Sequence, residues 1–481
     1  MGLRPDFFGQ HLSMPTTARD ASEARQRVAR LRPRTVGIVG GGPGGLLTAW
    51  HLERLTSSPL AITIFEASTR LGGKVLTPSF SSTTVRYEAG AAEFYDYSPI
   101  DDDPLRTLVR SLGLATIPLD GAAVHITGRR IANLDDVQDV LGSNALRGMR
   151  NFDAWARSAM TRQEFYESGS DHARAAVLHD RFADSLTISA TPPVRHYVEA
   201  MIHSDLATEP ACTTTAYGLQ NYLMNDPTYM RLYRIMGGND QLIRALACRL
   251  AAEVRLQATV TNVATSSSGT MIVTSQDHGC FRQDEFEAIV LALPVAPLKC
   301  VSFEDTRLAD AMRKHIVRHD HPAHYLRVTL LVDSPLEDVP GKDDFIMTEA
   351  FGGTCIYIEN ARDPTSRYGV IGLLLAGQAA TDLCEEPDDE LVNAALDNLP
   401  TPLNAYRHRV LEARVHRWAG AVSAAPGGWP AVSVDRRHRP SEQHPNLFVV
   451  GDYLFDSTLN GVLDSAAHVA GWLASELATG R

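Results

Sequence analysis

Two periods of apolar spacing run through this chain and mark out its elements. Val36, Ile38 and Val39 form an apolar run that reads as a buried strand, and beyond a glycine-rich turn Leu46, Leu47, Ala49, Trp50, Leu52 and Leu55 recur at helical spacing. Ile62, Ile64 and Phe65 predict a second strand, so the order strand, turn, helix, strand opens an α/β fold. Residues 131 to 203 read mainly as helices, with Phe152, Trp155, Met160 and Phe165 in a stripe that belongs in a core. From Tyr325 to Val332 the period is two: Leu326, Val328, Leu330 and Val332 share one wholly apolar face, and Tyr325, Arg327, Thr329 and Leu331 the other. The acidic run from Glu385 to Glu390 predicts a solvated helix start, and a last helix spans about Leu459 to Leu477. Between them His315, His319, His321 and His324 crowd around Asp320; no second ligand cluster accompanies them, so they read as a solvated loop before a strand and no metal site is assigned.

The first turn carries the chemistry. Gly40, Gly42 and Gly45 stand in a GxGxxG frame, with Gly44 inside it, which supplies a tight turn, close backbone approach to a pyrophosphate and close packing of the helix that follows. That helix offers free amides and a positive dipole end to phosphates. The second strand ends in Glu66, about 20 residues on, where a carboxylate accepts ribose hydroxyls. An acid there favours FAD or NAD over NADP. Arg70-Leu71-Gly72-Gly73-Lys74 follows at once as a second glycine turn able to approach phosphate.

Composition narrows the class without naming it. A chain of 481 residues with 44% hydrophobic and 21% charged residues is that of an ordinary soluble globular protein, long enough for two or three domains. Its formal net charge of −12, with Lys and Arg dense only at the N-terminus, makes nucleic acid and anionic membrane poor partners. No apolar stretch nears the roughly 20 residues that span a bilayer. The first 33 residues are Arg-rich but lack the apolar core of a signal peptide, and they read as a solvated extension or short helix, with a transit-like leader as the alternative. Six cysteines without ligand spacing predict reduced, mostly buried thiols in a cytoplasmic protein.

With the acid and the second glycine turn in place, the chain resembles the flavin-containing amine oxidoreductase superfamily, which includes monoamine and polyamine oxidases, L-amino acid oxidases, protoporphyrinogen oxidase and phytoene desaturases. In that family the RxGG segment, here Arg70, Gly72 and Gly73, lies along the FAD pyrophosphate. Further segments extend the likeness: Tyr87 to Ala91, whose Gly90 and Ala91 resemble the small-residue turn under the flavin ring; Gly237-Gly238 followed by a helix and Val254 to Val263, where Val260 would pair with adenine; and Asn446 to Asp452, whose Gly451 and Asp452 would contact the FAD sugar chain. The likeness spans roughly residues 34 to 130 and 235 to 478. It implies a discontinuous Rossmann-like FAD-binding domain from residues 34–97, 235–300 and 410–481, and a mixed α+β substrate domain from 98–234 and 301–409. The C-terminal helix would aim its positive end at the flavin pyrimidine edge. No second dinucleotide fingerprint is present, so electrons would pass to oxygen or another external acceptor.

The chain departs from the family at its substrate wall. By resemblance the aromatic cage over the flavin should include a residue at or beside Trp429, and its second position falls on Val462, so half the cage is missing and simple monoamine oxidase activity is disfavoured. No cysteine stands in the stretch from Trp418 to Pro430, which implies noncovalent FAD. Arg327 replaces a lysine that many relatives use to hold a water near flavin N5; it could bind a substrate carboxylate or make a structural ion pair. Glu93 stands near the place where L-amino acid oxidases carry a carboxylate-binding arginine; it would repel a carboxylate and suit a second ammonium group, or else be a solvated or cofactor-side acid. The leading expectation is an FAD-dependent oxidase of an amine or amino acid, by hydride transfer to flavin N5, giving an imine. The alternatives are an FAD-dependent desaturase of a nitrogen-free, isoprenoid or biosynthetic substrate, and a flavin-binding module without redox turnover.

Overall fold

In the computed structural model, residues 32–121, 123–167, 180–336, 343–359, 367–425 and 432–479 are described. The N-terminal extension to residue 31 and Trp429 lie outside them. A parallel five-stranded sheet takes its strands from three separate stretches of chain: β1 (Arg34–Val39), β2 (Leu60–Phe65), Glu253–Arg255, Ala288–Leu291 and Leu447–Val449. β1 lies at its centre, between β2 and Ala288–Leu291. Both faces are covered, which suits the unbroken apolar runs of these strands. On one face Val36 and Ile38 pack with α1 (Pro43–Leu55) and the C-terminal helix Leu459–Thr479, through Leu46, Leu47, Leu463 and Val469. On the other Val39, Ile289 and Leu291 meet a four-stranded sheet containing β3 (Ala258–Thr265).

The second large layer is a seven-stranded, mostly antiparallel sheet. Its centre is β4 (Pro322–Val332), flanked by β6 (Gly369–Ala376) and β7 (Val410–Ser423), with β5 (Thr354–Ile358) on the far side of β6. Val410–Ser423 falls among the cofactor-binding pieces in the sequence reading, yet it pairs along β4 as an edge of this sheet. The alternation read from Tyr325 to Val332 holds: Leu326, Val328, Leu330 and Val332 lie in the core on one face. That turns Tyr325 and Arg327 to the opposite side. A helical layer built from residues 134–166, 182–206 and 215–223 covers that side, with Phe152, Met160 and Phe165 buried in its core and Trp155 packed against it.

Two expectations need correction. His315 and His319 are not on a solvated loop: they close the helix Thr306–His319, one turn apart with rings 4.7 Å between centroids, and both face Tyr453. The sequence shows four histidines but not the neighbouring tyrosine that covers them. Among the described residues no group of three or more His, Cys, Asp and Glu side chains is arranged to hold a metal ion. The thiols are not mostly buried either: Cys355 is, Cys384 is half-buried, and Cys212, Cys248, Cys280 and Cys300 are exposed, all unpaired. The acidic start of a helix at Asp388–Asp397 and the last helix, Leu459–Thr479, stand where the pattern predicts. Among the described residues, no helix is long and apolar enough to cross a membrane.

Burial, reinforced by the neighbouring cationic side chains, pushes His315 down to about 3 and His319 to about 2, so both rings are neutral when folded. In the unfolded chain they protonate near pH 6.5, so the stability they contribute is complete above that pH and is lost as the pH falls toward the folded values. Thermal melts should show the melting temperature falling between about pH 7 and about pH 4, and His315→Leu should make that fall shallower. An unchanged pH slope in the variant would remove the histidines from the account.

Candidate active site

The cofactor groove is made by two glycine turns that touch. Gly40 leaves β1 with φ +112°, and a Cβ there would lie 2.3 Å from the Ala292 carbonyl oxygen; one on Gly45 would lie 2.0 Å from that of Gly40. Both positions therefore require glycine for the fold itself. The Gly72 N–H donates to the Gly41 carbonyl at 2.8 Å, seating the second turn on the first, and Arg70 folds back to donate to the Gly73 carbonyl at 2.7 Å. Gly42 differs: a Cβ there would meet only the Gly73 Cα, at 3.9 Å. The space before Gly42 is open.

The donor set fits a dinucleotide. α1 begins with Pro43, has no side-chain cap and no acid in its first turn, so its positive end is unneutralised. Glu66, at the end of β2, accepts N–H bonds from Gly41 at 2.9 Å and Ser68 at 2.8 Å. The Ala258 N–H donates to the Glu66 carbonyl at 2.9 Å, which brings the buried Val260 on β3 to the same end of the groove. At the other end Gly451 precedes the buried Asp452, whose carboxylate holds Lys74 Nζ at 3.0 Å; Lys74 also donates to the Ala421 carbonyl. A cavity of about 180 Å³ opens beside Asp452, lined among others by Pro294, Lys299, His319 and Tyr453.

The turn through Gly90 and Ala91 is laced to the second glycine turn. The Ala91 N–H donates to the Lys74 carbonyl at 3.0 Å, and a Cβ on Gly90 would fall 1.9 Å from that oxygen. Trp418 Nε1 donates to the Ala89 carbonyl at 2.6 Å, and the Asn239 side chain to that of Ala91 at 2.9 Å. Val462, the expected second wall, is half-buried on the C-terminal helix. It packs with the core around α1, within reach of Gly44, because that helix lies along α1; its N–H is taken by the Thr458 carbonyl at 3.1 Å.

Arg327 makes an ion pair. It is buried on β4, donates to Glu359 Oε1 at 3.0 Å and reaches the Gly90 carbonyl at 3.4 Å, with its guanidinium 4.8 Å from the Tyr357 ring centroid. Gly372, on the strand between, leaves room for this pair: a Cβ there would lie 3.0 Å from the Arg327 guanidinium and 3.5 Å from the Glu359 carboxylate. A buried pair of this kind is destabilising to break, by about 3–5 kcal/mol. Arg327 is thus paired with an acid already present, while its Nε is buried without a partner.

Around the pair the interior is rich in tyrosine and carries two further acids. Tyr325 projects from β4, Cys355 and Tyr357 from the matching face of β5, Tyr95 from Phe94–Asp96, Tyr217 from Thr215–Leu223, and two acids join them. Glu93 immediately precedes Phe94; Asp205 is the penultimate residue of the helix Pro192–Leu206. Both residues are half-buried. Glu93 accepts a hydrogen bond from Tyr357, but its Oε2 is buried without a partner. Burial pushes both acids up, Asp205 well above the usual carboxylate range, and the charge of Glu93 raises Asp205 further. Arg327 pulls Glu93 down while Glu359 opposes it. Glu93 and Arg327 therefore lie within electrostatic reach of each other. Asp205, Tyr357, Glu359 and Gly372 escape the sequence reading; the one signal for Asp205 is an acid in the last turn of an otherwise mostly buried helix, where the helix dipole disfavours it.

The model of the family described as flavin containing amine oxidoreductase matches residues 43–472. A flavin-dependent L-tryptophan oxidase of Lentzea aerocolonigenes is 24% identical over 482 residues, covering 90% of this chain and 96% of that protein. A coproporphyrinogen III oxidase of Mycobacterium tuberculosis is 27% identical over 197 residues, 39% of this chain and 42% of its own. A putrescine oxidase structure with putrescine bound superposes with a TM-score of 0.68 at 16% identity, over 93% of this chain and 99% of that one.

Two outcomes follow from this geometry. Gly42→Val should fold, since the backbone leaves the space, yet purify without flavin absorbance; a flavin-loaded variant would place the pyrophosphate elsewhere. Asp205→Asn should raise the melting temperature at neutral pH, by about 1–2 °C for roughly 1 kcal/mol of relieved burial. Because burial raises the folded-state value, the wild type gives up nothing below the unfolded carboxylate range near pH 4 and the gain should vanish there. Melts across that range that move in parallel would show that Asp205 is already satisfied.

Proposed function

The chain belongs to the flavin-containing amine oxidoreductases, and from that premise we propose that it oxidises a cationic amine that carries no carboxylate. The supporting observation is the charge of the interior: Glu93 has an unpartnered buried oxygen, Asp205 stands close to it, and the guanidinium among them, Arg327, is spent on Glu359. An ammonium group entering there gains charge-assisted hydrogen bonds, whereas a carboxylate meets like charge. This separates the chain from its tryptophan-oxidising relative, whose substrate carries a carboxylate. A polycarboxylate tetrapyrrole would be repelled in the same way, and an isoprenoid would desolvate both acids without return.

FAD, when bound, supplies the acceptor for a hydride from the carbon bearing nitrogen. We assign its phosphates to Gly42, Gly44, Gly45, Gly72 and Gly73 with the start of α1, its ribose to Glu66, its adenine to the Val260 strand, its sugar chain to Gly451 and Asp452, and its ring to Gly90, Ala91 and the Val462 end of the last helix. The protein holds it without a covalent link. Glu93, next to the Gly90 turn, binds the ammonium through Oε2 and takes one of its protons, leaving the free amine whose lone pair assists C–H cleavage. Tyr95, Tyr325 and Tyr357 exclude water and position the alkyl chain. Arg327 acts on Gly90, holding the turn in place. Water then hydrolyses the imine product, and oxygen, reduced to hydrogen peroxide, completes the cycle.

Anaerobic addition of amines should bleach the flavin, and amino acids should do so far more weakly. Glu93→Gln should keep its flavin and lose about 10- to 100-fold in kcat/KM, the equivalent of one charge-assisted hydrogen bond. Faster bleaching by amino acids than by their decarboxylated amines would overturn the assignment.

A further inference from the structure

At the Asp452 end of the cofactor groove, the last helix and the short helix Val434–His438 are joined by a chain of hydrogen bonds. The Gly451 N–H donates to Ser465 Oγ at 3.1 Å. Ser465 Oγ lies 2.9 Å from His438 Nε2, and His438 Nδ1 lies 2.7 Å from the Val434 carbonyl oxygen. Both side chains are fully buried.

Chemistry fixes the direction of every bond in this chain. A carbonyl oxygen only accepts, so Nδ1 carries the ring proton and donates it to Val434. Burial holds His438 down at about 3, so the ring stays neutral and Nε2 is an acceptor. The Ser465 hydroxyl therefore donates to Nε2, and its oxygen accepts from Gly451. Bonds aligned head to tail in this way polarise and strengthen one another. A serine inside a helix ordinarily turns to solvent or back onto its own helix. Ser465 instead meets a backbone N–H 14 positions earlier in the chain.

That N–H is the first one past the sheet. The Val450 N–H still donates to the Leu291 carbonyl at 3.0 Å, whereas the next, on Gly451, is taken by Ser465. Arg437, beside His438 on the same short helix, donates to the Leu454 carbonyl, so the segment from Gly451 to Leu454 is gripped at both ends. Between the grips stands Asp452, whose carboxylate takes Lys74 Nζ and the Tyr453 N–H. The two grips set the angle at which Asp452 leaves the sheet.

Resting on the assignment of the FAD sugar chain to Gly451 and Asp452 above, we propose that Ser465 and His438 are positioning residues for the cofactor, whose one-way hydrogen-bond chain holds Gly451 and Asp452 in the geometry that binds it. They act through Gly451 and take no part in the reaction.

The test titrates FAD into the full-length apoprotein, followed by flavin fluorescence, with thermal melts in the presence and absence of FAD. Ser465→Ala and His438→Leu should each raise the FAD Kd by about tenfold or more and shrink the FAD-induced rise in melting temperature. His438→Gln, whose amide keeps one acceptor and one donor, should recover most of the affinity. A purely structural chain predicts melts that fall equally with and without FAD at an unchanged Kd, and that result overturns the proposal. Should Ser465→Ala not fold, the two His438 variants decide: tighter FAD binding by His438→Gln supports the proposal, and equal Kd values overturn it. Asp452→Asn separates the premise from the inference. Wild-type affinity in that variant removes the sugar-chain assignment and the proposal with it, whereas weakened binding there beside unaltered binding in Ser465→Ala removes the proposal alone.

Discussion

The buried pair of Arg327 and Glu359 is the contact on which the rest of the site depends. It joins neighbouring regions of one sheet across a central strand where Gly372 leaves it room, and through Arg327 it reaches the Gly90 carbonyl of the cofactor-binding turn. Its electrostatic consequence exceeds its mechanical one. By pairing the guanidinium, it sets Glu359 against the pull of Arg327 on the nearby Glu93.

That acidity is bounded by the architecture on the cofactor side. The glycine turns leave a groove for anionic phosphates at an uncapped helix start, and Lys74 and Asp452 close its other end against each other. The uncapped helix start and the acidic interior are held apart by the Gly90 turn, tied by Trp418 and Asn239. Low dielectric around the acids strengthens their attraction for a cation and equally the cost of leaving them empty.

The helical layer supplies the feature that departs furthest from local preference. An acid in the last turn of Pro192–Leu206 works against the helix dipole, and the tyrosines around it withhold their hydroxyls. Where local electrostatics, solvation and hydrogen bonding all disfavour a residue, its retention speaks for a role outside the empty fold. The buried histidines His315 and His319 make the contrast: they too are desolvated, but they pack against the ring of Tyr453.

Local physics made much of this legible in advance. Val36 to Glu66 encode strand, turn, helix and acid because each step is a short-range requirement, and the period-two face of Tyr325 to Val332 follows from strand geometry alone. Arg327 and Glu93 could be named, since both stand at fixed offsets from such elements, but their partners could not. Whether Arg327 meets a substrate or Glu359, whether His315 is solvated or covered by Tyr453, and that Asp205 joins Glu93 from a helix more than a hundred residues away all depend on which faces pack together. A sequence determines what a residue can do and which side of its own element it occupies; neutralisation, desolvation and the company of other charges are set across long separations in the chain, and only the tertiary structure decides them.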